Sequence, residues 1–432
     1  MTDIFDRVQQ FCDDNYLVDV QDKVPIFLCS IGAHLFNAVN KCSMCDFDPL
    51  TASEGAFTIE PCPLRHTDYP IYTPATRLAD TRINILVRGQ KGSGKNVLLD
   101  LFCAENTGLL WNNDALKGTG FRTMFGANSI TEAGMFGSVN EDGEIMGNPV
   151  ARYMCGGFVC FEEFSSMSDA SRKDHSVDMK NQLLTSLDSG RVNKSMRSGW
   201  VKYNTRMTMW AGTQPARFES GLDRRFFIID IEMTPEKEML YKHAQNKQAS
   251  IEPAKRRQLI QDSIELRKWF IERQKKVMDK KPQGVVFGED FEKWVLQETV
   301  RSFESDLFRR LAIGYTMMKG EWKDKELLMV ELDDRLREIL ESSLKMRRTV
   351  LDEDIRLIRT TFWNKDVPRS VLLKDIARLI TNNDYQSAKR WIEEYLLGQA
   401  WFKEYTPKKT GRGRKGVMCR FGFDEVMAHE KE

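Results

Sequence analysis

The feature that most constrains the fold of this chain is a glycine-rich segment directly after an apolar run. Ile83–Val87 is apolar and typical of a buried strand, and the segment GQKGSGKN follows at residues 89–96. Val97–Leu99 then begins a helical pattern. The spacing is G-x4-G-K between a strand and a helix, where backbone amides and a helix N-terminus bind phosphate groups. It predicts an α/β domain that binds a nucleotide.

This loop supplies the residues expected to bind ATP. Its glycines let successive N–H groups turn toward the phosphates, and Lys95 would reach the β- and γ-phosphates. Asn96 stands where Ser or Thr ordinarily gives a hydroxyl to Mg²⁺, and its amide oxygen is a neutral, bulkier ligand. Nucleotide binding is therefore a safer inference than rapid hydrolysis. The residues assigned to the nucleotide are Gly89, Gly92, Ser93, Gly94, Lys95 and Asn96.

A second apolar run ends in two carboxylates. Phe158–Phe161 is typical of a buried strand, and Glu162 and Glu163 follow it. In ATPases with such a loop, the first acid holds Mg²⁺ and the next polarises the attacking water. We assign Glu162, with Asn96, to Mg²⁺ and Glu163 to the water.

Composition excludes several classes of protein. The 432 residues include 64 Lys and Arg against 63 Asp and Glu, so the chain is not a polycation, although a local basic patch can still bind nucleic acid. The longest apolar stretch, residues 24–36, is shorter than the roughly 20 residues that span a bilayer, so no membrane partner is expected. Nine sparse cysteines and no signal-peptide core favour reduced thiols in a cytoplasm-like compartment.

Four segments follow from the pattern along the chain. Residues 1–80 are expected to be helical to about residue 40 and then irregular. Residues 81–233 alternate apolar runs, glycine-rich turns and helical stretches, the pattern of an α/β core. Residues 234–348 are charged and predicted to be helical apart from a break at 282–288, with helices continuing over 290–347. Residues 349–432 form the last unit.

Two longer stretches carry a resemblance to a known family. Residues 157–169, GFVCFEEFSSMSD, are similar to G-V-C-C-I-D-E-F-D-K-M-S-D, and residues 204–215, NTRMTMWAGTQP, are similar to N-A-R-C-S-V-L-A-A-A-N-P. These are motifs of the minichromosome maintenance (MCM) helicases of the AAA+ class. The resemblance covers roughly residues 80–232 and weakens toward the C-terminus. It implies an AAA+ core with a helical lid, in a ring expected to be a hexamer with ATP sites between neighbours.

The resemblance extends to single catalytic residues. Gln214 replaces the family's sensor Asn and keeps an amide that could orient the attacking water. The segment LDRRF at 222–226 resembles L-S-R-F, which implies that Arg225 is the arginine finger, with Arg224 as the alternative.

A further arginine is expected in the lid. The segment ETVRSFE at 298–304 resembles the lid helix T-V-R-Q-L-E and makes Arg301 the candidate second sensor. Arg309 and Arg310 lie about two turns further on and stay open as alternatives.

Two hairpins are expected to face the ring channel. Residues 138–145 contain Asp-Gly, a strong hairpin turn. Residues 196–201 resemble the family's K-A-G-I hairpin, with Arg197 in place of the channel Lys and Lys194 nearby. Both basic residues are predicted to bind DNA phosphates. Trp200 could stack on a base, but a packed hairpin aromatic is the favoured reading.

The last unit resembles a winged helix. Residues 371–380 and 385–397 are predicted helices, and residues 400–405 and 417–423 are predicted strands around a basic turn. A basic tip between strands is a candidate DNA-phosphate contact, against the alternative of a solvated or protein-docking loop. The tip residues assigned to DNA are Lys408, Lys409, Arg412, Arg414 and Lys415.

A candidate zinc site precedes the core. Cys42, Cys45, Cys62 and His66 have the C-x2-C and C-x3-H spacing of a structural Zn²⁺ site, against the alternative of free thiols on a loop. The MCM zinc site lies in a separate N-terminal domain, so the resemblance does not carry over to these residues. Because only about 80 residues precede the phosphate loop, that domain is expected to be missing.

Two functions are consistent with these features. The first is an ATP-driven DNA helicase or translocase that acts as a ring on single-stranded or forked DNA. The second is a nucleotide-switched replication loader or scaffold with weak hydrolysis, favoured by Asn96, Glu162 and Gln214, which all depart from the family pattern. Either would work in the cytoplasm near the nucleoid, or in a eukaryotic nucleus.

Overall fold

The computed structural model describes residues 3–38, 81–111, 123–125, 130–141, 145–147, 149–154, 157–164, 174–196, 199–205, 207–214, 225–280, 282, 284–299, 302–323, 326–347, 350–363, 365–381, 383–397, 401–406 and 416–422. The chain divides into two compact units. The first comprises residues 1–297 and 301–347, and the second comprises residues 298–300 and 348–432.

Helices and strands alternate through the first unit. Its helices are α1 Ile4–Asp14, α2 Val24–Ala38, α3 Lys95–Cys103, α4 Glu132–Phe136, α5 Val150–Tyr153, α6 Asp174–Ser189, α7 Pro235–Ala249, α8 Pro253–Asp279, α9 Glu289–Glu298 (whose last residue belongs to the second unit), α10 Ser302–Lys319 and α11 Asp334–Arg347. Its strands are β1 Asn84–Gly89, β2 Thr123–Phe125, β3 Ser138–Val139, β4 Ile145–Met146, β5 Phe158–Phe161, β6 Arg191–Met196, β7 Gly199–Asn204, β8 Thr208–Thr213, β9 Phe226–Ile231, β10 Gly284–Phe287 and β11 Leu327–Val330.

A parallel five-stranded sheet forms the centre of this unit. The strand order is β2-β5-β8-β1-β9, and each neighbouring pair is parallel. Strands β5 and β8 are buried along their whole length, as expected when helices cover both faces of a parallel sheet. The predicted α/β class is confirmed. All five strands end at the same edge, which we call the carboxyl edge.

Helix α2 attaches the N-terminal part of the chain to this sheet. The Ser30 hydroxyl donates to the carbonyl oxygen of Ile83 at 2.7 Å and accepts from the Trp210 indole N–H at 3.0 Å. On its other side α2 crosses α10 so closely that Gly32 and Gly314 lie at the crossing. The predicted helical character of the N-terminal segment is confirmed over residues 3–38, with a break between α1 and α2.

The prediction of continuous helices over residues 290–347 is wrong in one place. Leu327–Val330 is β11, which pairs in parallel with β10. Leu328 and Val330 are buried, whereas Leu327 and Met329 are exposed. Because all four residues of β11 are apolar, the alternation that identifies a strand is invisible in the sequence.

Both predicted hairpins are present. Strands β3 and β4 pair antiparallel, as do β6 and β7. The β6–β7 register puts Met196 opposite Gly199, so residues 197–198 connect the two strands. At the other end of the hairpin, Tyr203 Oη donates a hydrogen bond to the carbonyl oxygen of Phe136 at 3.0 Å. This bond fixes the base of the hairpin against α4.

The second unit combines helices with a small antiparallel sheet. Its elements are α12 Val350–Phe362, β12 Asp366–Pro368, α13 Arg369–Leu379, α14 Tyr385–Trp391 with a π turn Ile392–Leu396, β13 Phe402–Tyr405 and β14 Met418–Phe421. The sheet order is β12-β14-β13. The predicted helices and the last two strands are confirmed. Strand β12 was not predicted, because three residues that end in proline carry no periodic signal.

One buried arginine organises the core of the second unit. The Arg359 guanidinium lies over the rings of Trp363 and Trp401, 4.6 and 5.2 Å from their centroids. It also donates to the carbonyl oxygen of Thr299. Burial lowers the pKa of Arg359 to about 10, so the side chain keeps its charge at neutral pH.

No helix within the described residues is both long enough and apolar enough to cross a membrane.

Candidate active site

The predicted phosphate loop meets two of the other predicted catalytic residues, Glu163 and Gln214, at the carboxyl edge of the sheet. Gly89 ends β1, Glu162 follows β5 and Gln214 follows β8. Since β5, β8 and β1 are adjacent and parallel, the chain segments that follow them must lie side by side. The site therefore arises from strand order, not from proximity in sequence.

The loop itself has the conformation that its glycines permit. Gly92 and Gly94 have φ values of +84° and +80°, in the left-handed region that favours glycine. Gly94 is the N-cap of α3, so the N-terminus of that helix opens at the loop. Ser93 is 1% exposed, and its Oγ has no hydrogen-bond partner among the described residues. A buried hydroxyl of this kind inside the loop is suited to a polar ligand.

Three of the predicted catalytic side chains are in contact. Lys95 Nζ lies 3.4 Å from Glu163 Oε2, and Gln214 Nε2 donates to the same oxygen at 3.4 Å. Lys95 is only 9% exposed. The cluster thus combines a buried cation and an amide, each within hydrogen-bonding reach of the same carboxylate.

The residues assigned to magnesium fit that ion. Asn96 Oδ1 is buried and accepts no hydrogen bond from the part of the chain that the structure describes. It lies against Gly212, where an added Cβ would be 3.1 Å from Oδ1 and 2.7 Å from the carbonyl oxygen of Glu162. An orphaned amide oxygen that lies against the same glycine as the Glu162 carbonyl is the type of donor that Mg²⁺ uses.

Asp100 is a third acid near this position, and sequence reasoning missed it. Partial burial and the charge of Glu162 raise the pKa of Asp100 to about 6. Asp100 is four residues after Asn96 on α3, so both lie on one side of the helix. The four-residue spacing from Asn96 is the sequence signal that could have identified Asp100.

Tyr241 is a second residue that the sequence did not reveal. Its ring from α7 lies on Gly94, where an added Cβ would be 2.6 Å from Oη. Tyr241 Oη lies 3.2 Å from the Ser93 carbonyl oxygen and 3.4 Å from that of Val18. Burial, and secondarily the charge of Asp19, raises the pKa of Tyr241, so its hydroxyl stays protonated and can donate to one of these carbonyls.

Asp19 completes the link between the N-terminal segment and α7. Its carboxylate accepts from Lys23 Nζ and from Lys237 Nζ, each at 3.0 Å. The loop between α1 and α2 is thereby tied to the same helix that covers the phosphate loop.

Arg225 lies at the opposite edge of the sheet. It directly precedes β9, whose first residue, Phe226, is paired with Asn84 at the start of β1. Arg225 donates to the carbonyl oxygen of Leu184 at 3.0 Å and to Asp188 Oδ2 at 3.1 Å. Arg224 is outside the described residues.

The lid arginines that the structure describes have partners within the first unit. Arg309 donates twice to Glu292, at 3.2 and 2.6 Å. Arg310 donates to the carbonyl oxygen of Arg82, which lies at the amino end of β1, away from the phosphate loop. Arg301 is outside the described residues.

Two residues of the β6–β7 hairpin have surroundings that differ from expectation. Lys194, predicted to contact DNA, forms an ion pair with Glu132 at 3.0 Å. The expectation that Trp200 is packed is wrong, because the side chain is 57% exposed. Arg197 is outside the described residues.

Two predicted sites cannot be placed in the structure. The zinc candidates Cys42, Cys45, Cys62 and His66 and the wing residues Lys408, Lys409, Arg412, Arg414 and Lys415 all lie outside the described residues. Elsewhere, the residues that the structure describes contain no group of three or more His, Cys, Asp or Glu that could hold a metal ion.

The fold and the site define an α/β protein with a glycine-rich loop at the carboxyl edge of a parallel sheet. No protein-family model matches this chain, and comparison with curated proteins gives no match. What the chain does is therefore inferred from its own residues and their geometry.

Proposed function

We propose that this protein is an MCM-like AAA+ ATPase that couples ATP binding and hydrolysis in a ring to translocation on, or unwinding of, DNA. The observation that carries the proposal is the meeting of Lys95, Glu163 and Gln214 at the carboxyl edge of the sheet, beside a loop of G-x4-G-K sequence. The strand order β2-β5-β8-β1-β9 supports an AAA+ core, since the strand of the loop lies between the last strand and the strand that carries the sensor residue.

Each residue of the cluster has a defined task in this proposal. The loop amides and Lys95 bind the phosphates of ATP. Glu163 accepts a proton from the attacking water, and Gln214 orients that water through its amide. Because Lys95 and Glu163 are paired, phosphates that attract Lys95 also release the carboxylate for its role as a base. Asn96 and Glu162 would hold Mg²⁺, which when bound neutralises charge on the phosphates.

Arg225 is proposed to act on a neighbouring subunit. It stands at the amino edge of the sheet, whereas Lys95 stands beyond the carboxyl end of β1. At about 3.3 Å per residue the six residues of β1 separate the two edges by roughly 20 Å. Arg225 is therefore too far from its own loop and could serve only the site of another copy, as an arginine finger in trans does.

The DNA contacts are proposed for two places. One is the β6–β7 hairpin, whose strands are joined by a segment that contains Arg197, and the other is the pair of antiparallel strands β13 and β14 in the second unit. The element order of the second unit, helix, strand, two helices and two strands, supports a winged helix. The basic turn between its last two strands is the proposed phosphate contact there.

A nucleotide-switched loader is the second candidate. Asn96 favours it, since a neutral amide replaces the usual hydroxyl ligand and is packed against Gly212. A loader needs ATP-dependent assembly on DNA but little turnover. No measurable phosphate release, with ATP-dependent oligomerisation intact, would support the loader over the helicase.

The helicase proposal is tested by DNA-stimulated ATPase and fork unwinding with Lys95→Ala, and Lys91→Ala serves as the matched control. Lys91 lies in the same loop but is exposed, so its loss should change both activities little. Lys95→Ala should abolish both, and Glu163→Gln should abolish turnover while ATP still binds. Unwinding that survives Lys95→Ala would refute the mechanism.

A further inference from the structure

The β6–β7 hairpin has two different faces. Strand neighbours that point toward the core, such as Val192 and Tyr203, are buried. Positions that alternate with them, Asn193, Ser195 and Trp200, are exposed. Ser195 and Trp200 are directly opposite each other, one pair away from the connecting turn.

Trp200 is unusual among these exposed residues. Its side chain is 57% exposed, although tryptophan is highly buried on average. Its neighbours on the exposed face, Asn193 and Ser195, are polar. The core of a protein–protein interface is more apolar than this, so a flat aromatic ring among polar side chains fits a ligand that offers both a π face and hydrogen-bonding groups.

The basic composition of the hairpin favours a ligand that carries several negative charges. Residues 191–206 contain no acidic residue and five basic residues, of which Lys194 is paired with Glu132 of α4; the five are Arg191, Lys194, Arg197, Lys202 and Arg206. An aromatic platform within a basic segment is the combination by which proteins hold single-stranded nucleic acid.

We propose that Trp200 stacks on a base of single-stranded DNA, so that the hairpin contacts bases as well as phosphates. The inference rests on the proposed DNA-translocating function and adds a contact to the DNA that it handles. Base stacking tolerates any sequence, because every base has a π face. Such a contact suits a motor that must move along DNA of all sequences.

The test measures equilibrium binding of oligo-dT and of an abasic oligomer with the same number of phosphates. Trp200→Leu keeps an apolar side chain but removes the π face, and Trp200→Phe restores one. Trp200→Leu should weaken oligo-dT binding by about 5- to 100-fold and leave abasic binding unchanged. Trp200→Phe should recover most of the loss. Arg197→Gln, the phosphate control, should weaken both ligands alike and reduce the salt slope by about 0.7.

Four results would overturn the inference. Unchanged oligo-dT binding by Trp200→Leu would refute stacking while leaving the proposed function intact. Equal loss on both oligomers would assign Trp200 to the hairpin's own structure or to the backbone. A change in subunit assembly without DNA would make Trp200 a subunit contact. Failure of the wild-type chain to bind either oligomer would refute the proposed function itself.

Discussion

The crossing of α2 and α10 allows a prediction in which two physical effects oppose each other. Replacing Gly314 by Ala should raise helix propensity, which is worth up to about 1 kcal/mol in a helix interior. The new methyl group, however, would lie 1.8 Å from the carbonyl oxygen of Cys29 and 2.7 Å from its carbon. Ordinary C···O contacts are about 3.3 Å or longer, so the helices would have to separate by roughly 1.5 Å.

For Gly314→Ala, the stability lost through the steric obstruction should exceed the stability gained from higher helix propensity. The obstructing atoms are backbone, so no rotamer change can relieve the contact. A gap of 0.5–1 Å already forfeits about a quarter to a half of each dispersion contact. Such contacts are numerous on these two helices, because Ile26 and Ile31 of α2 and Leu311 of α10 are fully buried. Overpacking typically costs about 1–3 kcal/mol, and a backbone obstruction belongs at or above the upper end. We therefore expect a net loss of about 2–4 kcal/mol in the free energy of unfolding.

The assay is urea unfolding of the full chain followed by far-UV circular dichroism, read as a shift in midpoint at constant slope. Gly134→Ala is the matched control, because it too lies in a helix but its added Cβ meets only side-chain atoms at 3.3 Å. It should change stability by less than about 1 kcal/mol. Stabilisation by Gly314→Ala of the size expected from propensity would refute the steric reasoning.

A double variant tests the same crossing from its other side. An added Cβ at Gly32 would lie 2.0 Å from the carbonyl oxygen of Gly314. One separation of the helices relieves both obstructions, so the losses from Gly32→Ala and Gly314→Ala should add up to more than the loss in the double variant. Strict additivity would mean that the two glycines do not share one crossing.

Three further predictions follow from single contacts. Tyr241→Phe removes the hydroxyl that donates toward the Ser93 carbonyl, so the KM for ATP should rise about 2- to 10-fold with kcat nearly unchanged, measured by steady-state turnover. The pKa of Asp100 is raised from 3.8 to about 6, so its stabilising contribution is complete below pH 3.8 and is lost as pH rises through 6. Asp100→Asn should therefore flatten the fall in melting temperature over that range, measured by thermal unfolding in a pH series. Arg273→Lys should destabilise the chain by about 1–3 kcal/mol in urea unfolding, since Arg273 donates to the carbonyl oxygens of Met317 and Gly320 at 2.7 and 2.5 Å.

The meeting of Lys95, Glu163 and Gln214 could be predicted because each of them follows an apolar run. Lys95, Glu163 and Gln214 come after three buried strands, and adjacent parallel strands bring their carboxyl ends together. The same rule places Arg225, which precedes a strand, at the opposite edge. Local pattern alone predicted the roles of Lys95 and Glu163, whereas those of Gln214 and Arg225 were predicted from the family resemblance.

Other features depend on tertiary contacts that leave no local signal. Tyr241 lies 148 positions from Ser93 in a highly charged helix, and nothing in that helix marks it as a partner of the loop. Trp200 was expected to be packed because large aromatics usually are, yet alternation along β7 puts it on the face away from α4. Trp200 is exposed because the opposite face of the hairpin packs on the core, and sequence alone does not show which face is covered.

Under the proposed function, two ion pairs at opposite edges of the sheet would connect ATP turnover with subunit assembly. Lys95 holds Glu163 at the carboxyl edge, and Asp188 holds Arg225 at the amino edge. The Asp188 carboxylate is about half exposed, so its pair with Arg225 contributes only about 0–1 kcal/mol and is easily exchanged. A phosphate group carries more charge than one carboxylate and binds guanidinium in the same forked geometry. ATP in the loop would thus release Glu163 from Lys95, while the ATP of a neighbouring copy would attract Arg225 from Asp188. Under the proposed function, hydrolysis therefore needs both a bound nucleotide and an adjacent subunit, and a single copy should turn over slowly whatever its affinity for ATP.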